Sequence, residues 1–296
     1  MITLDETATN DEQPASDLNR RAMLAALHIS AWTGARLDRQ AQATIAATHG
    51  NDPDRTRTIK RLLDPGRLAP LTNVRGRLTT THNTYTLPWL DRGLRILPTA
   101  TFRAHTEAMR PLIEEFRRVA SDLIADYPGI RAAAQYYHLG TLYNSADYPP
   151  SIEDRFSVDL SYHTIPQGID FRLDLASEYL DEIRQTAERT TAASIAEAQR
   201  DVVTRLKDAV SRMVAQLTKT DGKVYETLLS NASDLVALIP GLNITGDPAI
   251  AAIAADLHRE ILSRYTTGQL RADDRARADA AAVATRIESK LSGMLS

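Results

Sequence analysis

The residues of this chain best suited to chemistry are cationic. Arg55, Arg57, Lys60, Arg61, Arg67, Arg75 and Arg77 fall within 23 residues, and Tyr85, Trp89, Arg92 and Arg95 follow soon after. Guanidinium and ammonium groups contact phosphate oxygens and displace counterions, while aromatic faces stack on unpaired bases. The combination is what binding of single- or double-stranded DNA requires. The competing reading is a solvated basic face. A sequence pI near 6.2 is low for a dedicated nucleic-acid binder, and acidic residues elsewhere in the chain can neutralise the cluster.

Other chemistry finds less support. His28, His49, His82, His105, His138, His163 and His258 are scattered singly. His82, Asp91 and His105 could meet at a metal only if the segment between them folded back, and no short-range ligand spacing supports that. The carboxylate pairs Glu114-Glu115, Glu153-Asp154, Asp181-Glu182 and Asp273-Asp274 are sequence neighbours, which do not face one another on a helix, so they read as solubility and capping groups. Asp147 and Asp159 with Tyr148 and Tyr162 could line a pocket, although tyrosine-rich surfaces more often bind protein. Phosphate loops, nucleophile elbows and H-E-x-x-H zinc motifs do not occur. With no cysteine, disulfides, thiolate metal sites and cysteine nucleophiles are excluded. No catalytic residue, cofactor or metal site is expected.

The elements that must position these residues are mostly helices. The 296 residues are 43% apolar, 25% charged and only 5% aromatic, so Leu, Ile, Val and Ala build the core, a bias toward helix. Residues 1–20 carry a net charge of −4, residues 21–120 carry +8 and the remainder carries −7. Residues 1–18 read as a disordered acidic tail rather than a targeting segment. No apolar run approaches the roughly 20 residues a membrane span needs, so a cytoplasmic protein with no membrane partner is expected.

Alternation over residues 22–32 suits a short strand, and a helix nearly as well. A helix is expected from Leu37 to Ala47, stopping at Gly50, and another from Asp52-Pro53 carrying Ile59, Leu62 and Leu63 to a stop at Asp64-Pro65-Gly66. A third runs from Leu68 to about Thr80. Residues 81–98 then form a proline-bounded segment pinned among helices, turning at Asp91-Arg92-Gly93 with Trp89 buried. Phe102, His105, Met109, Leu112, Phe116, Val119 and Leu123 are spaced alternately by three and four, a helical stripe ending at Tyr127-Pro128-Gly129. Period-two alternation at 156–162 and 169–173 predicts a β-hairpin. Asp174 opens a helix reaching Leu217, striped by Ala187, Ile195, Ala198, Val202, Leu206, Ala209, Met213 and Leu217 and on the order of 60 Å long at about 1.5 Å per residue. Helices over 223–238, 248–265 and 272–293 follow.

With these residues placed, the chain resembles a family of uncharacterised proteins of tailed phages and prophages. Four stretches carry the resemblance: Ile29 to Gly34 with Leu37-Asp38; Tyr85 to Trp89 with Arg95 to Pro98; Leu142 to Pro149; and Asp170 to Leu175. Where that pattern has a basic pair after the glycine, this chain has Ala35-Arg36. The resemblance implies a phage protein acting inside the host cell and brings no established activity. A ring-forming ATPase is one partner it suggests.

The expected fold is therefore mainly α, a long-helix bundle with a small β-hairpin insertion. Its parts are a tail (1–18), a basic α-rich part (19–150) holding the pinned segment, a hairpin (151–174) and the bundle (175–296). The first functional reading is a non-catalytic interaction or structural protein that self-associates through the long helix and binds a phage or host protein. The second is a DNA-binding accessory protein of phage replication or recombination, using the eleven residues named above. An enzyme of unrecognised type is the third.

Overall fold

A computed structural model describes residues 18–90, 93–136, 139–166, 177–219 and 224–296. It is mainly α with a small β component. The chain divides into two compact units, each assembled from separated stretches. The sequence boundaries expected near 150 and 175 do not coincide with them.

The second unit comprises Leu27–Thr84 and Thr106–Leu160. It contains most of β1 (Ala22–Ser30), then β2 (Ala35–Leu37), α1 (Arg39–His49), β3 (Ile59–Arg61) and α2 (Pro65–Tyr85). It also takes the greater part of α3 (Thr99–Ala134) and of β6 (Ser157–His163). Its core is Leu71, Val74 and Leu78 of α2 against Met109, Leu112, Phe116, Ala120 and Leu123 of α3, with Ile152 and Val158. The stripe expected on α3 is the buried one, and its Phe116 is among the most enclosed side chains.

Three expectations fail here for identifiable reasons. Asp52 caps as expected, accepting the Asp54 N–H, but only a single 3-10 turn forms, Pro53–Arg55. Thr56 is already extended, and the β-branched run that follows pairs with β2 instead of continuing a helix. Asp64-Pro65-Gly66 is a start rather than a stop: the Asp64 carboxylate accepts the Gly66 N–H at 2.9 Å and proline takes the first helical position. α2 therefore runs to Tyr85 and takes residues 81–85 from the pinned segment. α3 continues through Tyr127-Pro128-Gly129 to Ala134. Pro128 costs this helix one backbone hydrogen bond without ending it.

The first unit comprises 18–26, Tyr85–His105 and 161–296, within the described residues. The pinned segment is a tight antiparallel pair, β4 (Leu87–Pro88) and β5 (Leu94–Pro98), with Leu87 opposite Ile96. Gly93 takes a φ of 96° that only glycine accepts at little cost. β5 pairs antiparallel with the start of β1, Met23 opposite Leu97, and the full sheet order is β4-β5-β1-β6. The second strand of the expected hairpin, 169–173, lies outside the described residues, as do Asp174 and residues 1–17. β6 has β1 as its neighbour.

α4 (Ser177–Leu217) is 41 residues long. Its Ala198, Val202, Leu206, Ala209, Met213 and Leu217 are buried under α5 (Glu226–Leu242) and α8 (Asp274–Leu295), and α6 (Pro248–Leu257) packs on those two helices. Asp247-Pro248 opens α6 as expected, with the aspartate accepting the Ala249 N–H. α6 ends at Leu257 in a π-helical turn, His258–Leu262. The expected helix over 272–293 is instead α7 (Thr267–Ala272) and α8, separated where Asp273 leaves helical geometry to cap α8.

Candidate functional site

The cation that the structure singles out is Lys60, in the second unit. Alternation along β3 sends its side chain to the face opposite those of Ile59 and Arg61. Its Nζ lies 2.9 Å from Asp38 Oδ2 and 2.8 Å from Asp147 Oδ2, and only 9% of the side chain is exposed. Asp38 is also the N-cap of α1, accepting the Ala41 N–H at 3.0 Å. Arg36 completes the group, donating to Ala146 O and pairing with Asp147 Oδ1, each at 3.2 Å. The two stretches 29–38 and 142–149 thus meet at Lys60.

Electrostatics keep this cluster ionised. Burial, the largest single influence on Lys60, favours the neutral amine, but hydrogen bonds and charges from Asp147 and Asp38 together outweigh it and raise its pKa. The Ala41 N–H first, then Lys60, hold the Asp38 carboxyl below the usual aspartate value against the effect of burial. An amine held as ammonium is no nucleophile at neutral pH. Lys60 is thus an ion-pair centre that ties β3 to α1 and to the 142–149 loop.

Beside it lies an open groove of about 710 Å³. β3 and the residues after it form one wall, while Ile130, Ala133 and Ala134 of α3 with Leu139 and Leu142 form an apolar one. Ile59 and Leu142, both lining this groove, are 56% and 50% exposed. The two-stranded sheet β2-β3 has a definite polarity. Asp38 N–H donates to Thr58 O at 2.9 Å and Leu62 N–H to Gly34 O at 2.7 Å, while Arg36 stands opposite Lys60. Residues 58, 60 and 62 therefore face β2, and the N–H and C=O groups of Ile59 and Arg61 point to the opposite, open edge. Among the described residues no third strand pairs there.

The other cations expected to bind phosphate divide by circumstance. Arg55, Arg57, Arg61 and Arg75 are exposed, with no ion pair among the described residues. Arg67 pairs with Asp126 at 3.5 Å, and Arg77 meets both oxygens of Glu115 at 2.8 Å.

The remaining candidates belong to the first unit. Trp89 is buried in its core, and Tyr85 is half-buried with its ring edge-on to His105, 6.2 Å between centroids. Arg95 points inward: its Nε donates to Thr86 Oγ1 at 2.7 Å and its Nη2 to Thr86 O at 3.2 Å, the carbonyl that Arg205 of α4 also holds, at 2.7 Å. These contacts clamp the β4-β5 hairpin onto the long helix. Arg92 and Asp91 lie outside the described residues. His82 falls in the second unit and His105 in the first, and no group of three potential ligands stands together among the described residues.

Sequence reasoning missed Asp38 and Asp147 as partners of Lys60 because they lie 22 and 87 positions away. One signal existed: Lys60 is the single lysine before Lys207, in a stretch otherwise supplied with arginine. The chain matches no family model, no curated protein and no solved structure.

Proposed function

We propose that the chain is a non-catalytic interaction protein that holds a protein partner in the groove beside β3. The observation that carries this reading is the conjunction of an open strand edge with exposed Ile59 and Leu142 in one groove. Single exposed apolar residues are ordinary, whereas two large ones beside unpaired backbone groups make a surface that a partner covers. The charged state of Lys60 supports a structural rather than a catalytic role for the polar floor. The resemblance to phage proteins makes a phage or host protein the natural partner, with a ring-forming ATPase among the candidates.

DNA binding stands second, on the exposed Arg55, Arg57, Arg61 and Arg75, which have no ion pair among the described residues. Trp89 is buried and Arg95 is turned inward onto Thr86, which removes two of its proposed contacts and leaves the exposed arginines as its main support. Self-association is left out of the reading, because the α4 stripe that suggested it is covered within the first unit.

The test is affinity purification from nuclease-treated cells carrying the native genome, using wild type, Ile59→Glu, Leu142→Glu and the control Glu188→Arg. A partner protein recovered with wild type and control, and lost with both groove variants, is the expected result. Recovery that is equal from all four, or a product consisting only of nucleic acid when nuclease is omitted, would overturn the reading.

A further inference from the structure

We infer that the partner segment is an extended, acidic peptide that adds as a strand to the free edge of β3. The inference rests on the reading of the groove as a protein-binding site and specifies its mode and chemistry. The hydrogen-bond phase described above leaves two N–H and two C=O groups, those of Ile59 and Arg61, aimed away from β2. An added strand satisfies such a row with main-chain bonds and takes its specificity from alternate side chains. The groove bounded by β3 and the carboxy-terminal end of α3 provides the space that strand would occupy.

Charge complementarity selects the peptide. Ile59 and Arg61 share one face of β3, with Arg57 just before them. Arg57 and Arg61 are exposed, and no ion pair or hydrogen bond of their side chains occurs among the described residues. The cations deeper in the groove are already neutralised, Lys60 by Asp38 and Asp147 and Arg67 by Asp126. The unbalanced charge along β3 itself is therefore positive; Asp64, which also lines the groove, stands at the start of α2 and accepts the Gly66 N–H. A strand lying along it is favoured with carboxylates opposite Arg57 and Arg61 and an apolar residue opposite Ile59, an acid–apolar–acid pattern at alternate positions. Leu139, Leu142 and Ala133 offer an apolar surface to the remaining side chains. Basic or polar-neutral strands gain none of the cross-strand pairing.

The test titrates the full-length protein with short synthetic peptides. One alternates glutamate and valine, a second alternates lysine and valine, and a third is the acidic peptide N-methylated on alternate residues. Amide hydrogen exchange at Ile59 and Arg61 and fluorescence anisotropy of labelled peptide are the readouts. The acidic peptide is expected to bind at least 10-fold more tightly than the lysine peptide and to slow exchange at both amides. N-methylation in the pairing phase should weaken binding at least 10-fold, and Arg57→Glu with Arg61→Glu should weaken it several-fold. Arg61→Pro removes only an edge-facing N–H, a place where strands tolerate proline, and should also weaken binding. Tight binding indifferent to N-methylation, or no acidic-peptide preference, would overturn strand addition. So would a short DNA duplex that displaces the acidic peptide and protects neither amide. If the partner purification succeeds and the acidic peptide fails, the mode falls while the groove stands as the partner site.

Discussion

At the scale of single residues, two buried titratable groups define how the units respond to change. Lys60 holds two carboxylates that are almost enclosed, so removing it leaves Asp38 without a counter-charge and Asp147 with only the exposed Arg36. Removing one member of a buried ion pair costs about 3–5 kcal/mol, and Lys60→Met is expected to lie in that range by chemical denaturation. The cluster also sets a pH window. Asp38, with its lowered pKa, contributes stability above the ordinary aspartate value that is lost as pH falls below it. Lys60, with its raised pKa, contributes stability below the ordinary lysine value that is lost as pH rises past it. His105, fully buried in the first unit, behaves differently: burial depresses its pKa to about 4. Between that value and the ordinary histidine value the unfolded chain binds a proton that the folded chain refuses, so stability falls as pH drops through this range. The loss should be on the order of 1–3 kcal/mol. Denaturation at pH 7 and pH 4.5 checks it, and His105→Gln should remove most of the difference.

At the scale of elements, the long amphipathic runs were legible and the short pairings were not. The stripes of α3 and α4 predicted their buried faces because a helix repeats its pattern over many turns. β3 is three residues long, and nothing local to Arg55–Arg61 indicates that Ala35–Leu37 will pair with it. The Asp-Pro signals show how one dipeptide gives different outcomes. At Asp247-Pro248 an apolar helical sequence follows and a helix forms, while after Asp52-Pro53 threonines and isoleucine favour the strand. The Lys60 cluster was invisible because three loops and strands bring its members together across long sequence separations. The pinned segment was placed correctly in its main feature, since Trp89 is buried at 9% exposure. Trp89→Ala should cost about 3–5 kcal/mol; a melting temperature within a degree or two of wild type would contradict that packing. Gly241 of α5 is similarly constrained, because a Cβ there would stand 2.7 Å from Thr101 Cγ2. Gly241→Ala is expected to destabilise by about 1–3 kcal/mol through overpacking, despite alanine's better helix propensity.

At the scale of the whole molecule, charge looks different in space than along the chain. Residues 21–120 carry a net +8, yet Lys60, Arg67 and Arg77 are matched by carboxylates and Arg95 is turned inward. Arg57 and Arg61 form a short cationic margin beside an apolar groove and a strand edge that has no partner among the described residues. Its association with an acidic partner should weaken with ionic strength but persist at high salt, since the apolar and main-chain contacts are screened little. A photo-crosslinking residue at position 59, with position 289 as the control, tests the groove most directly in cells carrying the native genome. A discrete protein adduct from position 59 and none from position 289 is the predicted result. Equal labelling from both positions, or nucleic acid as the only adduct from position 59, would contradict it.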